Sequence, residues 1–149
     1  MLSLRKSKVG FTLIELMVVV AIIGVLALLG LRLYTGQQMK AKNSIVKANA
    51  GTIQTLIQAE LADTTSALVW DMVTGTAPYA SPNDLFTKSG IHIPDGLAQV
   101  ANGTPAGVVG TVYVIYNTTT PGSEFFEING NSFDATSVPV YTTPLTARK

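Results

Sequence analysis

The chain contains no cysteine. Disulfides, thiolate catalysis and zinc–thiolate sites are therefore excluded. An exported location is not excluded, because oxidising compartments permit disulfides without requiring them. A single histidine, His92, leaves little material for acid–base or metal chemistry. No second histidine or cysteine exists to complete a triad or a zinc site, so no enzymatic activity is expected. No cofactor or metal is expected either. Charge is scarce too: Asp, Glu, Lys and Arg make up 13% of the residues against 47% apolar ones. The formal net charge of +1 offers no basic face for nucleic acid. Proline is missing from the whole first half. All seven prolines lie at or after Pro78, so a run of 77 residues is free of helix breakers.

The scarce charge is unevenly spread. Residues 9–31 carry one charged side chain, Glu15, in an otherwise aliphatic run. The 21 residues 11–31 read FTLIELMVVVAIIGVLALLGL. As a helix they would cover roughly 30 Å, the thickness of a bilayer core. The valines and isoleucines would also suit a buried strand, but strands seldom exceed about 10 residues. Gly24 and Gly30 weaken a helix in water, yet permit close backbone approach in lipid or a tight bundle.

Residues 32–63 continue as an amphipathic helix. Val46, Ala50, Ile53, Ile57 and Leu61 recur at spacings of four, three, four and four, which forms one apolar stripe. Lys40, Lys42, Lys47, Asn49, Gln54 and Glu60 fall largely off it. If both helical parts are continuous, the rod is about 75–80 Å long. That is too long for the remaining residues to cover, so its N-terminal half is expected to project into a membrane or other subunits. The run Asp63-Thr64-Thr65-Ser66 predicts a stop, with Thr64, Thr65 or Ser66 capping a short helix over residues 68–73.

Residues 64–149 predict a head of different composition. Residues 74–107 show little periodicity and are expected to form an irregular connection. Residues 108–116 (VVGTVYVIY) have good strand propensity. Residues 124–128 (EFFEI) and 132–135 flank Asn129-Gly130, the pair favoured in two-residue hairpin turns. A last strand over residues 138–142 would be an edge or carry a bulge, because Pro139 lacks a ladder donor. The expected class is α+β, a long helix packed through its C-terminal half on a small antiparallel sheet.

The first ten residues are short, basic (Arg5, Lys6 and Lys8) and end in glycine, like a targeting segment. An ordinary secretory signal is cut after its apolar run. Here a small residue, Gly10, stands before it, and an acid, Glu15, follows Phe11 by four residues. The string Lys8-Val9-Gly10-Phe11-Thr12-Leu13-Ile14-Glu15-Leu16 resembles the cleavage and methylation signature of type IV prepilins and of type II secretion pseudopilins. The close likeness covers residues 4–31.

That resemblance implies a type IV pilin-like fold and a processing path. Residues 1–10 would be a leader removed by prepilin peptidase between Gly10 and Phe11, and the same enzyme would N-methylate Phe11. Residues 11–31 would anchor the precursor in the inner membrane and then serve as the assembly helix. Residues 32–63 would form the amphipathic half and residues 64–149 the head. The product would be a homo-oligomeric extracellular pilus, built by an assembly platform and an ATPase, for adhesion, motility or DNA uptake. Phe11 and Glu15 would serve subunit assembly.

Elementary electrostatics fits that role. A lone carboxylate near lipid is costly. The cut would create an ammonium on Phe11 at i,i+4 spacing, and pairing the two relieves both charges. Pairing with a neighbour would also set the axial register. One departure stands out. Many pilins carry a proline about two turns beyond the Gly24 equivalent, where this chain has Arg32.

Two other readings stay open: a pseudopilin of a type II secretion or competence machine, and a singly anchored binding protein with an ordinary signal. Asn117-Thr118-Thr119 matches the N-glycosylation acceptor pattern, although a polar hairpin loop explains it as well. Glu124, Glu127 and Asp134 are close in sequence but lack the alternating acids of a calcium loop.

Overall fold

A computed structural model describes residues 10–79, 84–96, 99, 109–118, 123–133 and 139–146. The proline-free run forms one continuous helix, α1, Leu13–Asp63. It starts two residues after Phe11 and passes through Gly24, Gly30 and Gly36 without interruption. The expected weak points are thus helical, and Arg32 continues the helix where a proline would break it. The chain forms two compact units, Met1–Gln38 and Met39–Lys149.

In the first unit α1 has no packing partner among the described residues. Every large apolar side chain of residues 11–34 is exposed, from 45% at Val19 to 82% at Phe11.

The second unit holds the core. After α1 come α2, Ser66–Thr74, and α3, Leu85–Ser89. Three strands follow: β1, Val112–Asn117; β2, Phe125–Asn131; and β3, Pro139–Thr146. They form an antiparallel sheet in the order β1-β2-β3. Val46, Ala50, Ile53 and Ile57 of α1 are fully buried, and Leu61 is partly buried, so the predicted stripe is the buried face. It packs in one cluster with Val112, Val114, Phe126 and Ile128 of the sheet and with Val69, Val73, Leu85, Phe86 and Ile91. Each such side chain contributes roughly 1.5–3 kcal/mol when fully buried. The α+β class expected from the sequence is the one observed.

Several local expectations fail for identifiable reasons. Asn129-Gly130 is no turn. Both residues lie inside β2, Asn129 opposite Tyr113 and Gly130 opposite Val112. β2 is the central strand, so pairing on both edges outweighs the local turn preference. Gly130 serves packing instead. A Cβ there would stand 2.8 Å from Val46 Cγ1. The missing side chain lets α1 approach the sheet.

Ser132 and Phe133 are not strand, and residues 134 and 135 lie outside the described residues. β1 begins at Val112 rather than at residue 108, because Val109 and Gly110 form a turn with Gly110 at φ 77°. A side chain at 110 would also meet the Phe133 ring at 2.8 Å. β3 begins near the predicted place and runs further, to Thr146. It is an edge strand, and its pairing slips beside Gly130 and Asn131, where Pro139 meets Asn131.

Within the stretch read as irregular, Asp84 caps α3 by accepting from the Thr87 N–H at 2.9 Å, and Gly90 closes it at φ 64°. α2 is preceded by Thr65, but no side chain caps it. Polar contacts fasten the loops to α1. Lys42 pairs with Asp95 at 3.2 Å and lies 3.9 Å over the Phe133 ring. Asn43 accepts from the Phe133 N–H at 2.8 Å, and Asn49 donates to the His92 carbonyl at 2.7 Å.

Candidate functional site

The residues singled out at the N-terminus stand together at the start of α1. Gly10 and Phe11 are exposed and precede the first helical residue. Thr12 takes the N-cap position. Its Oγ1 accepts from the Glu15 N–H at 3.3 Å, and Glu15 Oε2 accepts from the Thr12 N–H at 2.9 Å. Thr12 Oγ1 also donates to Glu15 Oε2 at 2.6 Å. This is a reciprocal capping box, which satisfies two orphan helix donors. It also places a carboxylate at the positive end of the helix dipole.

Glu15 thus has a local partner that the expected pairing with Phe11 did not include. The signal for it was present, since Thr12-Leu13-Ile14-Glu15 has the T-x-x-E spacing of such a box. Around the carboxylate the surface is apolar: Phe11, Ile14, Val18 and Val19 line a shallow groove with Glu15. The helix that follows is long and apolar enough to cross a membrane.

With that geometry in view, known proteins place the segment. The prokaryotic N-terminal methylation motif matches residues 5–31. The chain carries that motif and is similar to type IV fimbrial proteins over part of its length. Over 53 residues it is 47% identical to the fimbrial protein EcpB of Eikenella corrodens, covering 36% of this chain and 33% of that protein. Over 63 residues it is 44% identical to the type IV major fimbrial protein FimA of Dichelobacter nodosus, covering 42% of this chain and 38% of that protein. The match therefore spans between about a third and two-fifths of these curated relatives. No solved structure matches the chain.

The remaining candidates lie apart from the N-terminal segment. Asn117 is the last residue of β1, opposite Phe125, rather than part of a loop. Thr119, the third position of its acceptor pattern, lies outside the described residues. Glu124 accepts from Ser66 Oγ at 2.5 Å and from Tyr116 Oη at 2.9 Å. These hydroxyls, Ser66 first, hold its carboxyl below the ordinary value of 4.5. Glu127 accepts instead from Asn129 Nδ2 at 3.0 Å, and Asp134 lies outside the described residues. His92 is fixed by backbone contacts, its Nδ1 lying 2.8 Å from the Gly90 carbonyl.

Sequence reasoning also missed a cluster in the head. Tyr116 stacks on Phe126 at 4.7 Å between ring centres and tilts against Trp70 at 5.7 Å. With Ser66 and Glu124 it ties the start of α2 to the β1–β2 hairpin.

Proposed function

We propose that this chain is the subunit of an extracellular type IV pilus. The observation that carries the reading is the junction at Gly10. A methylation motif runs directly into a helix whose large apolar side chains are all exposed up to Tyr34. Such a surface needs lipid first and other helices later.

In this reading prepilin peptidase cuts between Gly10 and Phe11 and N-methylates Phe11, while the helix holds the precursor in the inner membrane. The cut places a cation directly before the Thr12–Glu15 box. A carboxylate already held by Thr12 then serves either its own new N-terminus or that of a neighbouring subunit. Assembly replaces lipid contact with helix packing. Extraction from the membrane needs outside work, which fits an ATP-driven assembly platform. The role is structural, and polymerisation is its mechanism. The names of the two relatives, both fimbrial proteins, support a pilus over a secretion pseudopilus.

N-terminal sequencing of the exported protein tests the reading, together with electron microscopy of surface filaments. N-methyl-Phe11 as the first residue, and filaments that vanish with the gene, are expected. An intact Met1, or a start beyond about residue 30, the far end of the apolar span, refutes it.

A further inference from the structure

The charges of α1 are sorted along its length. Between Glu15 and Glu60 the helix has no acid, and beyond Lys47 it has no base. Glu60 and Asp63 are its acids at the far end. Among the described residues one ion pair forms, between Lys42 and Asp95. Lys40, Lys47, Glu60 and Asp63 thus lack an ionic partner among the described residues. Lys40, Lys47 and Asp63 are exposed, and Glu60 is half-buried.

The charges are also sorted around the helix. At about 100° per residue, Lys40 and Lys47 lie about 100–120° to one side of the buried Val46. Glu60 and Asp63 lie about 40–100° to the other side. One base, Lys42, falls on the acidic side, and it is the one that Asp95 already neutralises. The helix therefore shows a basic flank and an acidic flank on either side of its buried stripe.

Two parallel copies placed side by side bring the basic flank of one against the acidic flank of the other. The contact is heterologous, the kind that propagates into an open helical filament when it does not close into a ring. Opposite charges do not meet at zero shift. Lys47 and Asp63 are 16 residues apart, about 24 Å along the axis, and Lys40 and Glu60 are 20 apart, about 30 Å. A displacement of about 27 Å, midway between these spans, brings both pairs within side-chain reach.

We infer that the Lys40–Lys47 flank of one copy docks on the Glu60–Asp63 flank of a copy displaced by about 25–30 Å, and that these charges set the stagger. The inference rests on the filament reading. Exposed ion pairs are individually weak and screened by salt. They recur at every subunit contact, however, and the like-charge contacts of a wrong register are penalised. The apolar half of α1 supplies the attraction, and the flanks select its register.

Zero-length carbodiimide coupling of isolated filaments tests this, because it joins an amine only to a carboxylate in contact. Within one helix these partners are too far apart to couple, so any Lys47–Asp63 or Lys40–Glu60 link joins two copies. Both links are expected in digests read by mass spectrometry. The variants K40E/K47E and E60K/D63K are each expected to be processed normally yet lose about tenfold in filament yield. The fourfold variant K40E/K47E/E60K/D63K, complementary again with signs exchanged, is expected to recover most of it. Filaments without either link, or a fourfold variant no better than its halves, overturn the inference and leave the filament reading standing. A processed chain that forms no filaments overturns both.

Discussion

Replacing Gly130 with alanine tests how closely α1 lies on the sheet. The added Cβ would stand 2.8 Å from Val46 Cγ1 and 3.7 Å from the Val46 carbonyl oxygen. Carbon atoms prefer about 3.5–4.0 Å, so the two groups must part by roughly 1 Å. Val46 is fully buried. As a β-branched residue in a helix it has one strongly preferred rotamer, so the strain passes to the backbone. Overpacking of this kind costs about 1–3 kcal/mol. In a chain of this size each kcal/mol moves the midpoint by about 2–4 °C, and Gly130→Ala should melt about 2–12 °C lower. The assay is thermal unfolding of the full chain in detergent, followed by circular dichroism. Gly51→Ala is the control, because a Cβ there meets nothing within 4 Å. That change lies inside a helix and should stabilise by about 1 kcal/mol. Val46→Ala removes the opposing methyls, so the double variant should lose about 1 kcal/mol less than the sum of the single losses. A Gly130→Ala protein that melts like wild type, or losses that simply add, would refute the close approach of α1 to β2.

Four further outcomes are expected. Gly10→Leu should block processing and leave precursor in the inner membrane, as an immunoblot of fractionated cells would show; normal filaments would remove Gly10 from the cleavage site. Glu15→Ala should be cut normally but assemble poorly, and wild-type yields of sheared filament would remove Glu15 from the mechanism. Asp84→Ala should cost about 1–2 kcal/mol in denaturant unfolding, since it deletes the α3 cap at a fully buried position. For Glu124 the sign follows from its lowered folded value. Its contribution is complete above the unfolded value near 4.5 and is lost as pH falls through the lower folded one. Wild type should therefore lose more stability than Glu124→Gln between pH 7 and about 3.5, and equal losses would show that Ser66 and Tyr116 contribute nothing through this carboxylate.

Long-range features were legible where a pattern repeats many times. The proline-free run and the stripe of Val46, Ala50, Ile53 and Ile57 predicted α1 and its buried face, because each further turn confirms the same period. Short features were legible only where chemistry is local. The signature of the Thr12–Glu15 box lies within four residues; the Asp84 and Gly90 that bound α3 are also local signals, although the stretch holding them was expected to be irregular. Five residues hold too little periodicity to reveal α3 without those ends. Asn129-Gly130 was misread because turn preference is a property of two residues, while strand membership depends on partners far along the chain. Tyr113 on one side and Thr142 on the other hold Asn129 in the ladder. The Ser66–Glu124–Tyr116 cluster joins residues 58 apart, and no spacing rule reaches that far.

The expectation of a site at the N-terminus has a different basis, which lies in how α1 changes character along its length. From Val46 onward, its fully buried apolar residues keep to one face, and the sheet and short helices cover that face. From Leu13 to Leu33 they occupy every face, and none of the described residues covers them. A stripe is a demand that one domain can meet by folding. An apolar surface on all sides of a helix is a demand that folding leaves unmet, because a single chain of this size has no second layer to offer. The proposed assembly thus rests on the same reasoning that predicts a core. Glu15 sharpens the point: a carboxylate at the head of such a surface, held by Thr12, is where the partner of the proposed filament would bring positive charge or exclude lipid.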